Sequence, residues 1–401
     1  MIPGSGRNAD EQHQGRERVK LDLDIEQFWK DEEHAHDENC FSKSAAQVAL
    51  GIRMSDECVF AELGEEGHPW GYTDPVRRYD LNCRYNEKAR KIVGRALLAE
   101  NRPLPPEKRP KNSLPGVRQV PEFFGGQYVF DGNTTWLRGT IADEDALAEK
   151  LDEVEALLRD PWAFRSAVLP PDWDARKKAV FEETGRRPGM FGWFRGPCTM
   201  ATSVFGVERM LYLYYDDEEL FTRFADVLGD ALVAYYDLMR EEAGFTAESF
   251  PHGFSFADDD SNLFTPEMYH AFGYRVLKKV FAHCCPNPED NRYQHSDSAM
   301  GHLIPQLADF HLTGCNFGPT VTVREIRKYM PHTRIDGQLA PFTFMRNVEE
   351  DIIAEIRRDC EQARENDARG LNLTTAGSIN NGSLLTSMRV VMAAIQKYGR
   401  Y

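Results

Sequence analysis

From about residue 185 onward, short β-like runs alternate with long helical ones, and this alternation constrains the fold more than any other feature of the chain. The predicted strands are Met190–Arg195, Ala247–Ala257, Arg292–Asp297, Cys315–Gly318, Thr333–Gln338 and Gly370–Thr375. Between and after them fall helical patterns at Asp217–Ala243, Thr265–Ala282, Ala299–Phe310, Val323–Met330, Val348–Asn366 and Ser383–Tyr398. Pro266 in the first turn after Thr265 is a helix-start signal. Strict strand–helix alternation requires a parallel sheet with right-handed crossovers. A single (β/α)8 barrel of the α/β class follows, once two more strands are found. Residues 118–140 and 48–63 are the candidates.

In such barrels the chemistry sits where strands end and the next loops begin. The first strand ends at Arg195, the second at Asp258, Asp259 and Asp260, the third at His295, Ser296 and Asp297. Asn316 ends the fourth, Asp336 and Gln338 the fifth. The last runs into Thr375, Gly377, Ser378 and Asn380. Every one of these ends carries polar, chemically capable groups.

The remainder of the chain is less regular. Residues 1–20 have no hydrophobic period and are expected to be a mobile tail. Residues 21–117 form an N-terminal elaboration of a barrel unit spanning 21–401, with a helical apolar period over 85–101. Five prolines within 102–116 make that stretch a loop. No run approaches the roughly 20 apolar residues of a membrane span, and the polar start lacks the apolar core of a signal peptide. The net charge of −16 argues against nucleic-acid binding through phosphates. Eight scattered cysteines with no CxxC pair predict free thiols and a reducing, cytoplasmic setting.

Several runs resemble the uroporphyrinogen decarboxylase superfamily. FRGPCTMATSVF with the later YYDDEEL is similar to its GxPFT turn and YDDPE helix start. DDDSNLFTPEMYHAF, RYQHSDSAMGHLIPQLADFHLTGCNFGP, RIDGQL and GLNLTTAGSINNGS follow in family order over the last half of the chain. The resemblance implies the barrel and one of two chemistries on it: porphyrinogen decarboxylation, or methyl transfer linked to a corrinoid or coenzyme M. The departures narrow the choice. The RQAGRY run that holds substrate carboxylates in the decarboxylases is absent, and so is their His after the last strand, where Gly377 or Ser378 stands. The zinc methyltransferases carry His-x-Cys and a late Cys; here the first is His295-Ser296-Asp297 and the second again Gly377. A metal held here therefore has imidazole and carboxylate ligands, His295 and Asp297 with one Asp of 258–260, zinc being one candidate.

Residues i and i+2 of a strand project to one side, so His295 and Asp297 can face one ligand as acid, base or metal ligands. Alternation lets at most two of Asp258, Asp259 and Asp260 share the cavity, and crowded carboxylates suit acid–base work or cation binding; a helix cap is the bland alternative. Arg195, where the superfamily usually has a small residue, can clamp an anion or pair with one of these Asp residues. His252, Asn316, Asp336, Gln338, Thr375, Ser378 and Asn380 are substrate-binding candidates. Asp309-Phe310-His311-Leu312-Thr313-Gly314 spells the DxHxxG of corrinoid domains, but it precedes a strand instead of following one and reads as coincidence. His283-Cys284-Cys285 reads as helix-end packing, and His34 with His36 as a solvated helix face. The expected function is a methyltransferase or demethylase moving a methyl group from a small methylated substrate to a corrinoid on a separate protein. The alternative is a cofactor-free decarboxylase of an aromatic or pyrrolic acid, and a non-catalytic binding protein is the third reading. A homodimer is common in the superfamily.

Overall fold

The structure, a computed structural model, describes residues 21–37, 40–67, 69, 74–103, 116–130, 135–185, 194–246, 249–377 and 382–401. The expected tail, most of the proline-rich loop, the start of the first predicted strand, Ser378 and Asn380 lie outside these residues.

Among the described residues, seven parallel strands make one sheet. They are β1 (Ala49–Leu50), β4 (Phe194–Arg195), β5 (Gly253–Ala257), β6 (Asn291–His295), β7 (Gly314–Asn316), β8 (Arg334–Leu339) and β9 (Leu371–Thr375), in the order β1-β9-β8-β7-β6-β5-β4. This is the parallel α/β architecture that the alternation requires, with β1 and β4 as edges among the described residues. Each predicted strand is found, shortened in every case but β8, which keeps its length and is shifted by one residue. Helices Glu218–Glu242, Val323–Tyr329, Glu349–Ala363 and Leu385–Tyr398 cover the connections. The pattern at 265–282 is realised as Pro266–Tyr269, a wider turn over His270–Tyr274, and Arg275–Cys284.

Three expectations are corrected and a fourth is met by a short strand. Residues 118–140 supply no strand to the sheet; β2 (Gln127–Phe130) and β3 (Thr135–Arg138) pair antiparallel as a separate hairpin. The reason is a close seat elsewhere: a Cβ on Gly139 would lie 2.0 Å from the Val204 carbonyl oxygen, so the hairpin packs onto the helix Pro197–Phe205. Residues 48–63 do supply a sheet strand, Ala49–Leu50, which pairs with β9, and continue into a helix over Asp56–Leu63. The helix placed at 85–101 runs over Pro75–Ile92, because Asp74 caps it through the Val76 N–H (2.9 Å) with Pro75 in the first turn. Ala299–Phe310 is a chain of short turns in place of one helix, with Pro305 removing a backbone donor from its middle.

Period-two alternation divides the strands between core and cavity. In β5, Phe254 and Phe256 are buried, with Phe281 of the Arg275–Cys284 helix 6.1 and 6.0 Å away ring to ring, whereas Ser255 faces inward. Burying each such ring contributes roughly 1.5–3 kcal/mol. In β9, Leu371 and Leu373 are buried and Asn372 and Thr374 line the interior. The sheet thus carries its apolar side chains outward to the helices and its polar ones inward. All eight cysteines are free thiols. No described helix is long and apolar enough to cross a membrane.

Candidate active site

One cavity occupies the inner side of the sheet, and a second lies at its β4 edge. The larger, about 980 Å3, is bounded by β5–β9 and by the edge strand β1, and Trp29, Arg53 and Arg95 of the N-terminal elaboration complete its wall. The smaller, about 320 Å3, lies between the hairpin and β4, with Tyr128, Arg195 and Asp259 in its wall. His295 lines the first and Asp259 the second.

The two residues belong to one cluster. The Asp259, His295 and Asp297 donor atoms all lie within 4.8 Å of one another. His295 Nε2 is 3.1 Å from Asp297 Oδ1, and the Asp297 backbone N–H donates to Asp259 Oδ1 at 2.6 Å. His295 ends β6, which puts its imidazole on the cavity side two residues above Tyr293. Burial pulls the imidazolium down, but the hydrogen bond and charge of Asp297, the charge of Asp259 and a hydrogen bond with Asn316 outweigh it. The net effect holds His295 above its ordinary 6.5.

Of the three consecutive aspartates, only Asp259 joins this cluster. Asp258 is fully buried and turned to the helix Pro197–Phe205, where its Oδ1 accepts the Thr199 N–H at 2.7 Å. Gly196 permits that approach, since a Cβ there would fall 2.3 Å from Asp258 Cβ. Burial pushes the Asp258 carboxyl up to about 7, against the pull of the Thr199 and Cys198 N–H groups. Asp260 takes the Thr202 hydroxyl at 2.6 Å. Both therefore fix the first turns of that helix, as capping carboxylates do.

The other candidates divide. Asn316 is buried between strands: its Nδ2 donates to the carbonyls of Asp336 and, at 3.0 Å, Thr375, and its Oδ1 accepts the Gly377 N–H at 3.1 Å. It ties together the ends of β7, β8 and β9 beside His295. Asp336 and Thr375 also line the larger cavity. Arg195 lines the smaller one and reaches Ser203 Oγ at 3.4 Å. Gln338 is turned to the 318–321 turn, donating to the Val321 carbonyl at 2.6 Å. His252 precedes β5 at the other end of the sheet, 3.1 Å from Asn287 Nδ2, and does not meet the cluster.

Sequence reasoning passed over Arg53, Arg95 and Arg334, all in the wall of the larger cavity. Arg95 stacks on Trp29, its Cζ 3.5 Å from the ring centroid. Arg334 opens β8, so a reading confined to strand ends does not reach it.

Glycine at 377 has a direct structural reason. Its φ is +83°, and a Cβ there would lie 2.3 Å from Asp297 Oδ1. The Asp297 carboxylate thus fills the space a side chain at 377 would need. Cys198, the cysteine nearest in sequence to this end of β4, is fully buried, hydrogen-bonds Asp258, and has its thiol pushed well above the ordinary range by burial. The only three-donor group among the described residues contains no sulfur. One imidazole and two carboxylates form a donor set that suits zinc, manganese or ferrous iron, so these residues fit a divalent ion.

A search of curated protein sequences finds no match to this chain. Among solved structures, the chain is similar to a methyltransferase from Methanosarcina mazei at 15% identity and a TM-score of 0.50, over 89% of this chain and 95% of the other. It also aligns with a B12-independent methionine synthase from Shewanella sp. W3-18-1 in complex with selenomethionine, at 13% identity and a TM-score of 0.34, over 80% and 85% of the two chains. The first likeness is one of fold. The family model described as uroporphyrinogen decarboxylase (URO-D) matches residues 169–398, more than half of the chain, and the chain belongs to that family.

Proposed function

We propose that this protein is a methyltransferase that removes a methyl group from the oxygen or nitrogen of a small methylated compound and passes it to a corrinoid carried by a separate protein. The observation that carries the reading is the sulfur-free cluster of Asp259, His295 and Asp297 at the strand ends, in which His295 lines the larger cavity and Asp259 the smaller. When a methyl group leaves a neutral oxygen or nitrogen, the bonding electron pair stays on the heteroatom, which then needs a proton or a positive charge beside it. His295 stands where it can give that proton, and Asp297, 3.1 Å away, orients the ring. Asp259 completes the group and is itself fixed by the Asp297 N–H. A divalent ion bound at the same three donors would supply Lewis acidity at this point. The sulfur-rich metal site that activates thiol acceptors in the zinc methyltransferases is not reproduced here, as no cysteine joins this cluster. The fold shared with a methyltransferase agrees with the reading.

The test is a screen of methyl ethers, methylamines and methyl thioethers with purified protein and reduced cobalamin, following cobalamin absorbance while carbon dioxide release is measured from aromatic and pyrrolic acids. Methyl transfer from an oxygen or nitrogen donor is the expected result. Carbon dioxide release without methyl transfer would overturn the reading in favour of a decarboxylase.

A further inference from the structure

The larger cavity continues below His295, toward the starts of the strands, and ends on a charged floor. Strand register fixes its depth. Tyr293 of β6 pairs with Gly314 of β7, which pairs with Arg334 of β8, so Arg334 sits in the layer of Tyr293, two residues below His295. At about 3.3 Å per residue that is roughly 7 Å along the strands. Glycine at 314 makes the room, because a Cβ there would be 2.8 Å from the Tyr293 ring and 3.5 Å from Arg334 Nη2.

Arg334 is held by one edge. Its Nε donates to Asp336 Oδ1 at 3.0 Å and its Nη2 to Oδ2 at 2.9 Å, while Asn372 Nδ2 steadies the same carboxylate at 2.8 Å. The Arg334 side chain is nevertheless 43% exposed against 10% for Asp336. The ion pair therefore buries the carboxylate and presents the guanidinium to the cavity. A guanidinium has five N–H donors in a planar fork. Two are spent on Asp336, and no bond from Nη1 is found among the described residues. Arg53 and Arg95 line the same cavity, and Asp336 is the one carboxylate in its described wall. The positive interior stands out in a chain of net charge −16.

We propose that Arg334, fixed by Asp336, is a subsite for a carboxylate on the substrate, so that the molecule lies with its acid group on the floor and its reacting heteroatom at His295. The planar fork matches a carboxylate with two parallel N–H···O bonds. Placing the substrate across the cavity rests on the methyl-transfer reading; the carboxylate subsite itself does not.

The experiment compares calorimetric binding of benzoate with benzamide, and of 4-methoxybenzoate with 4-methoxybenzamide. The proteins are the native chain, Arg334→Gln, and the double variant Arg334→Gln/Asp336→Asn, which avoids stranding a buried carboxylate if the single variant fails to fold. In the native protein each acid should bind at least tenfold more tightly than its amide, and both variants should erase that preference while amide affinity stays within threefold. Failure of both acids to bind, equal binding of acid and amide, or a preference that survives in the folded double variant would overturn the subsite. Cobalamin methylation by 4-methoxybenzoate is measured separately. Lost preference with no methylation in the native protein would uphold the subsite and count against methyl transfer. Methylation from neutral donors with no acid preference would do the reverse.

Discussion

Substituting Gly377 tests the site's architecture at one atom. At φ +83° an alanine pays the left-handed backbone penalty of about 1–2 kcal/mol. Its Cβ would lie 2.3 Å from Asp297 Oδ1 and 3.3 Å from Asp297 Cα, so something has to move. The Asp297 side chain is 46% exposed and can swing outward cheaply, which breaks its 3.1 Å contact with His295. The stability cost should therefore stay near the backbone penalty. With about 2.1 cal/mol/K of unfolding entropy per residue, a chain of 401 residues changes by about 0.8 kcal/mol per kelvin, so the melting midpoint should fall about 1–3 °C. Function should fall much further, because a displacement of about 1 Å at a reacting group costs roughly 100-fold. Thermal melting and methyl-transfer turnover of Gly377→Ala measure the two separately. Turnover within threefold of the native protein would refute the claim that Asp297 occupies the space of a side chain at 377.

Three further outcomes are expected. Glu32 is buried, holding the Leu50 N–H at 2.8 Å, and burial pushes its carboxyl up to about 7 from an ordinary 4.5. Because the folded state holds this proton more tightly than the unfolded one, the contribution is complete below about 4.5 and is lost as pH rises through about 7. Denaturant unfolding across that window should show Glu32→Gln flattening the decline by up to about 3 kcal/mol, and an unchanged slope would contradict the burial of a titrating acid under β1. X-ray absorption of the zinc-loaded protein should show only nitrogen and oxygen neighbours at about 2.0–2.2 Å, and a sulfur shell near 2.3 Å would contradict the assigned ligands. His311, exposed at φ 51° in the turn before β7, lines neither of the two cavities, so His311→Ala should leave cobalamin affinity and turnover unchanged.

The parallel sheet was legible because helical and strand periods differ over long stretches, and His295 was legible because a strand end in such a sheet faces the cavity. What the Asp258-Asp259-Asp260 run does was not legible. Which carboxylate turns inward depends on how the helix Pro197–Phe205 packs against β5, a contact between segments sixty residues apart. Arg334 was missed because it opens a strand, and the floor it forms exists only once Gly314 lets Tyr293 and Arg334 fold inward. The hairpin at 127–138 stands apart from the sheet and seats Gly139 against the Val204 carbonyl, a contact between segments more than sixty residues apart. At 85–101 the apolar period was real but the helix start at Asp74 and Pro75 outweighed it.

Methyl transfer is tested most directly by a single turnover with a donor whose methyl group carries three deuterium atoms, using the most active oxygen or nitrogen donor of the screen, with the cobalamin product read by mass spectrometry. The native protein should place the intact trideuteromethyl group on cobalamin, and folded His295→Ala should do so at least a hundredfold more slowly, as loss of a proton-donating group does. Label that remains on the donor, or transfer at an equal rate without His295, would contradict the account.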